Sequence, residues 1–124
     1  VNVPSVDLVK ETDYCGVVSG SKTDKVADCH FKVFYGKLTT APLIEQYPVN
    51  LECKVMHILD LGSHELVVGR IEETYISEEC LTDGKPDVNK IKPIVYAGRR
   101  YMALGEVVGG AFTVRELGGT KPPA

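Results

Sequence analysis

No run of uncharged apolar residues approaches the roughly 20 that a membrane-spanning helix needs, which argues against helical insertion in a bilayer. Basic charge is not in excess either. The chain carries 14 Lys and Arg against 17 Asp and Glu, a net charge of -3, so its surface is not built to neutralise many nucleic-acid phosphates. Small anions remain compatible with that balance. Clustered metal ligands are missing: Cys15, Cys29, Cys53 and Cys80 are far apart, with no C-x-x-C pair and no Cys/His quartet, which disfavours zinc. The cysteines read instead as reduced structural thiols of a cytoplasmic protein, with Cys53 a small hydrophobe on a strand. Walker spacing, a Ser/His/Asp or Cys/His constellation and functional carboxylate pairs are all absent. Glu72-Glu73 and Glu78-Glu79 read as surface, and no catalytic residue is assigned. The chain also opens without Met, on Val1-Asn2-Val3-Pro4, which has the character of a strand end. The expectation is that further chain precedes it.

At 124 residues and 44% apolar composition, the sequence supports one domain with its own core, placed at 1–117. Residues 118–124, rich in Gly and Pro, are expected to be a disordered tail. Two long strand-like runs dominate the middle. Val49, Leu51, Cys53, Val55, Leu59 and Leu61 alternate with polar residues, a pattern that predicts one buried face, interrupted at His57. Val67, Gly69, Ile71 and Tyr75 define the matching face of the return run, and Leu61-Gly62-Ser63 the connection leading into His64. Arms this long, about twice the usual 5 to 6 residues, coil around a core more readily than they lie flat. The fold class read from the sequence is therefore mostly β or α+β, with a barrel as the first architecture.

Ser5 caps an expected helix that runs to about Val18, ended by Ser19-Gly20, and Thr23-Asp24 caps a shorter one. Residues 31–35 read as extended or loop. Pro42 and Pro48 bracket a short edge strand at Leu43-Ile44-Glu45. Leu81 to Pro86 is a turn built on Asp83-Gly84, and Asp87 to Ile91 one helical turn. Pro93 to Tyr96 and Tyr101 to Leu104 read as strands flanking a turn at Gly98-Arg99-Arg100, before a Gly-rich, partly helical end.

Ser19 to Lys25 joins a helix end to a helix start, with Lys22 and Lys25 adding positive charge beside Ser19 and Thr23. That chemistry suits an anion, and it equally suits a solvated, capped helix connection. His64 reads as a hydrogen-bond donor, a proton carrier or a polar turn residue, since an imidazole takes either charge near neutral pH. His57 reads as a satisfied core or interface histidine and His30 as a loop residue. Arg99-Arg100 offer a carboxylate or phosphate clamp, or only a solvated turn. Tyr96 and Tyr101 can stack on a ligand ring or pack in the core.

Three strings taken together go further: Tyr14-Cys15-Gly16-Val17-Val18-Ser19-Gly20 into Thr23-Asp24-Lys25, Leu51-Glu52-Cys53 through His64 to Val68-Gly69, and Lys92-Pro93-Ile94-Val95-Tyr96 followed by Arg100-Tyr101. In this order and spacing they resemble the flavin reductase-like family of FMN-binding split barrels. The resemblance implies a homodimeric split β-barrel, with FMN at the subunit interface and NAD(P)H or a protein as electron donor. It implies Lys25, His64 and Tyr96 near the flavin, and it makes Ser19 and Thr23 candidates for its contacts. A lysine there stabilises the negative charge of a phosphate or a reduced flavin. Family members carry additional strands before the segment that resembles Val1 to Pro4, with Ser/Thr contacts to FMN, and this chain has no Trp. The expectation is an N-terminally incomplete barrel that binds FMN poorly unless a partner supplies those strands. A non-catalytic β-barrel dimerisation module and a small-anion-binding module stand as alternatives.

Overall fold

In the computed structural model, residues 1–114 are described, and the expected disordered tail at 118–124 lies outside them. Strand β1 (Asn2–Val3) leads through a single 3-10 turn at Val6–Leu8 into helix α1 (Val9–Val17). Helix α2 (Lys25–Asp28) begins at Asp24, whose side chain accepts a hydrogen bond from the Ala27 amide at 3.1 Å and so satisfies one of the free N–H groups of the helix start. The capping expected from Thr23-Asp24 is thus supplied by the aspartate. Short strands β2 (Val33–Phe34) and β3 (Leu43–Ile44) pair antiparallel, so the region read as extended or loop contains a strand.

The long runs form β4 (Val49–Asp60) and β5 (Glu65–Ile76), twelve residues each, paired as an antiparallel hairpin. Strand β1 pairs with the other edge of β4, giving the order β1-β4-β5. Beyond the hairpin, β6 (Leu81–Thr82) and β7 (Lys85–Pro86) are joined through Asp83 and Gly84, both at positive φ. Positive φ at both central residues is what a tight two-residue hairpin turn demands. The same device recurs at Gly98 and Arg99, which join β8 (Ile94–Ala97) to β9 (Arg100–Ala103). Between the two hairpins, helix α3 (Val88–Ile91) is capped by Asp87. The four sheets do not close on one another, so the architecture is that of an open split barrel. Residues 104–114 contain no helix, contrary to expectation; Gly105, Gly109 and Gly110 make helix formation entropically costly there.

The core lies under the base of the hairpin, with Leu43, Tyr47, Cys80 and Ile91 buried. The predicted inner row of β4 is not its most buried one. Asn50 and Glu52, on the opposite row, are almost or wholly excluded from solvent, whereas Val55, Leu59 and Leu61 are exposed. The reason is that residues 36–47 pack on the Asn50 and Glu52 side and satisfy both polar groups. The Asn50 side chain accepts from the Ile44 amide and donates to the Ile44 and Tyr47 carbonyls, at 3.0 to 3.1 Å. Glu52 accepts from the amides of Lys37 and Leu38 at 3.2 and 2.8 Å and from the Tyr75 hydroxyl at 3.2 Å. Buried polar groups with complete partners specify register without an orphaned donor or acceptor. Gly36 allows the close approach, since a Cβ there would collide with the Tyr75 hydroxyl and Glu52.

Candidate functional site

Helix α1 organises the candidate residues. In its second half, three successive residues each anchor another segment, two through side chains that point in different directions and the third through its backbone carbonyl. Asp13 accepts a hydrogen bond from the Tyr101 hydroxyl at 3.1 Å, holding the β8–β9 hairpin. The Tyr14 hydroxyl donates to Asp28 Oδ2 at 2.6 Å, holding the end of α2. The Cys15 carbonyl accepts from Lys25 Nζ at 2.7 Å, holding its start. Lys25 is consequently half-buried, with its ammonium fixed at the C-terminal end of α1, where helix carbonyls favour a cation.

The loop between α1 and α2 is internally bonded. The amides of Lys22 and Thr23 both donate to the Ser19 carbonyl, at 3.0 and 3.2 Å, and the Thr23 hydroxyl donates to the same oxygen at 3.0 Å. Ser19 Oγ and Ser21 Oγ share a hydrogen bond at 2.8 Å. Ser19, Thr23 and Lys25 are therefore gathered within one compact turn. Each keeps capacity for a ligand: an ammonium has three donors and a hydroxyl two lone pairs. The donor set fits an anion or the polar edge of a ring, although several backbone amides that would have cradled it are already engaged with Ser19.

Tyr96 lies on β8 beside Tyr101, with ring centroids 5.2 Å apart and planes inclined at 58°, and it remains 64% exposed. Its ring therefore offers an open face, and the hairpin that carries it is tied to α1 through Tyr101. His64 stands apart from this group. It occupies the β4–β5 connection, where Gly62 at φ 88° and the Leu61 amide bonded to the His64 carbonyl shape the turn. Its Nδ1 is 2.9 Å from Ser63 Oγ, and the ring is exposed. No described hydrogen bond joins His64 to Lys25 or Tyr96.

Burial, the Asp28 hydrogen bond and their own surroundings shift several hydroxyls here. The Tyr14 hydroxyl is raised above its ordinary pKa chiefly by its bond to Asp28, and that of Tyr101 by desolvation and then by Asp13. Both tyrosines thus stay protonated donors in their anchoring bonds. Sequence reasoning missed Asp13 and Asp28 as anchors, since neither belongs to a local motif. Among the described residues, no cluster of His, Cys, Asp or Glu could hold a metal ion, and no helix is long and apolar enough to cross a membrane.

The open split barrel, the α1–α2 turn and the long hairpin together define a flavin reductase-like domain. The family described as "Flavin reductase like domain" matches residues 1–105, and this chain belongs to it. Among solved structures it is similar to flavoredoxin from Methanosarcina acetivorans, with 41% identity and a TM-score of 0.81 over 90% of this chain and 60% of that one. It is similar also to flavoredoxin of Desulfovibrio vulgaris (Miyazaki F), at 34% identity and the same TM-score, covering 90% of this chain and 61% of that one. An uncharacterized protein of Archaeoglobus fulgidus is 34% identical over 89 residues, 72% of this chain and 50% of its own length. The chain thus spans about half the length of the curated relatives it matches and about 60% of the flavoredoxins.

Proposed function

We propose that this chain forms part of an FMN-binding redox site and acts in flavin reductase-like or flavoredoxin-like electron transfer, with the flavin reduced by NAD(P)H or a protein donor. The observation that supports this reading is the family match across residues 1–105, which includes the Ser19–Lys25 turn, Tyr96 and the long hairpin. FMN, when bound, supplies a ring that accepts a hydride or electrons and a phosphate dianion that needs cationic and hydroxyl partners.

Lys25 is the residue best prepared for that role. Its ammonium is held by the Cys15 carbonyl, so it presents positive charge without first losing much side-chain freedom. Ser19 and Thr23 orient the polar edge, and the exposed ring of Tyr96 stacks. His64 hydrogen-bonds or moves a proton at the hairpin tip. In a homodimer with the flavin at the subunit interface, the projecting β4–β5 hairpin is the element that can carry His64 across. The four free thiols fit a reducing, cytoplasmic setting.

Titrating FMN into the purified protein and following flavin fluorescence tests the reading. Weak but saturable quenching is expected from this chain alone, and tight stoichiometric binding would overturn the expectation that further strands complete the site. Lys25→Ala should weaken binding about tenfold or more, the loss expected for removing a charge-assisted contact. A sample that neither carries flavin nor quenches added FMN would favour the second reading, a non-catalytic dimerisation module. The exposed apolar residues of the hairpin are the observation behind that alternative.

A further inference from the structure

Helices α1 and α2 bring together two thiols that the flavin reading leaves unused. Cys15 lies near the end of α1, and Cys29 directly follows α2. One residue spans the backbone of both: Lys25 Nζ donates to the Cys15 carbonyl at 2.7 Å, and the Lys25 carbonyl accepts from the Cys29 amide at 3.1 Å. The residue preceding each cysteine is also cross-linked, by the 2.6 Å bond from the Tyr14 hydroxyl to Asp28. Between these ties the two thiols influence each other, the Cys15 thiol being, after burial, the largest cause that raises the Cys29 pKa. Both are free and only half-buried. Cys29 opens onto a surface cavity of about 420 Å³ that it shares with Glu11, Tyr14 and His30, wide enough for a small reagent. Cys53 and Cys80 differ, for each lies against a backbone carbonyl, of Leu51 at 3.5 Å and of Lys90 at 3.7 Å.

We propose that Cys15 and Cys29 are a reversible dithiol–disulfide pair, oxidised by small-molecule disulfides of the glutathione type, which closes the segment 16–28 into a covalent loop. The Cys29 thiolate attacks one sulfur of the small disulfide and expels one thiolate. The Cys15 thiolate then attacks the Cys29 sulfur of the mixed disulfide and expels the second. Two protein thiols give up two protons and two electrons in all, and the small disulfide is reduced to two thiols. The loop so closed contains Ser19, Thr23 and Lys25, so its redox state sets how rigidly that turn is held. The inference stands whether or not the turn binds flavin.

Glu11 borders the same cavity, its Oε2 buried with no hydrogen-bond partner among the described residues. Burial first, then the Cys15 thiol and the carboxylates of Glu11 and Asp28, raise the Cys29 pKa, so thiolate is scarce at neutral pH and exchange is slow.

The test incubates the full chain with oxidised glutathione, blocks remaining thiols under denaturing conditions and maps linked peptides by mass spectrometry. The expected result is a fall from four free thiols to two, a Cys15–Cys29 cross-linked peptide, and a melting midpoint higher by an amount on the order of 10 °C. Retention of all four thiols, separate glutathione adducts on Cys15 and Cys29 without a cross-link, or pairing with Cys53 or Cys80 would overturn the proposal.

Discussion

Replacing Glu52 by Gln changes one atom at the most completely enclosed polar side chain of the structure. Glu52 is 0% exposed, and its two oxygens accept three hydrogen bonds. Oε1 takes the Leu38 amide at 2.8 Å, while Oε2 takes the Lys37 amide and the Tyr75 hydroxyl, both at 3.2 Å. A glutamine keeps one acceptor. If that oxygen serves Leu38, the new NH2 group faces the Lys37 N–H, donor against donor, although the Tyr75 hydroxyl can rotate to accept. Hydrogen bonds to a charged group contribute about 1.5–3 kcal/mol, and stranding a buried donor costs about 1–3 kcal/mol. Removing a buried charge offsets part of this, so we expect a net loss of about 2 kcal/mol for Glu52→Gln and about 3–5 kcal/mol for Glu52→Ala. With a urea slope of about 2 kcal/mol/M, the Gln variant should unfold at a midpoint about 1 M lower with the slope unchanged. Amide exchange at Lys37 and Leu38 should accelerate in step. The Tyr75 hydroxyl, raised first by burial and then by Glu52, should titrate nearer its ordinary range. A midpoint shifted by less than the equivalent of about 0.5 kcal/mol, the scatter of ordinary surface substitutions, would refute the claim that this carboxylate pins the 36–38 segment.

Asn50→Ala strands the Ile44 amide and the Ile44 and Tyr47 carbonyls at once, and should cost about 2–4 kcal/mol in the same urea assay, a loss of less than about 1 kcal/mol counting against the clamp. Asp87 gives a pH dependence. Its pKa is lowered by the Thr82 hydroxyl first and the Asn89 amide next, so its contribution is present above the unfolded carboxylate value and lost as pH falls through the lower folded one. Asp87→Asn should therefore flatten the acid limb of a plot of melting midpoint against pH below about pH 4, and parallel curves would argue against it.

Much of the fold is legible in the sequence because the signals are local. Asp83-Gly84 and Gly98-Arg99 adopt the positive φ angles that tight hairpins require, and the long β4 and β5 runs pair end to end. What strict alternation could not carry is the identity of the buried face. The β4–β5 pairing is interrupted between Glu52 and Cys53 and again between Val55 and His57, leaving Glu72 on one strand and Met56 on the other as surplus residues. A surplus residue shifts the side-chain phase of everything beyond it. The break in pattern noticed at His57 is the trace of that second irregularity. At the candidate site, the caps and charges of residues 19–25 are readable, but the partner that fixes Lys25 is a backbone carbonyl on another helix, which no residue type encodes. The proximity of Cys15 and Cys29 escapes for the same reason: it depends on how two helices pack, and their spacing matches no metal or redox motif.

The hairpin then divides into two halves with opposite logic. At its base, polar Asn50 and Glu52 face inward and are fully bonded, so stability there comes from specific clamps. Toward its tip, Val55, Ile58, Leu59, Leu66, Val67, Val68 and Ile71 are each 42% exposed or more. Ile58 lies opposite Val67 and Leu59 opposite Leu66, and because successive side chains of a strand point to opposite faces, the two pairs lie on opposite faces of the hairpin. Single exposed hydrophobics need no explanation, whereas apolar cross-strand pairs exposed on both faces leave each face open to a covering partner. A partner laid on either face of the hairpin would remove such pairs from water, which is the kind of contact the proposed homodimer would use.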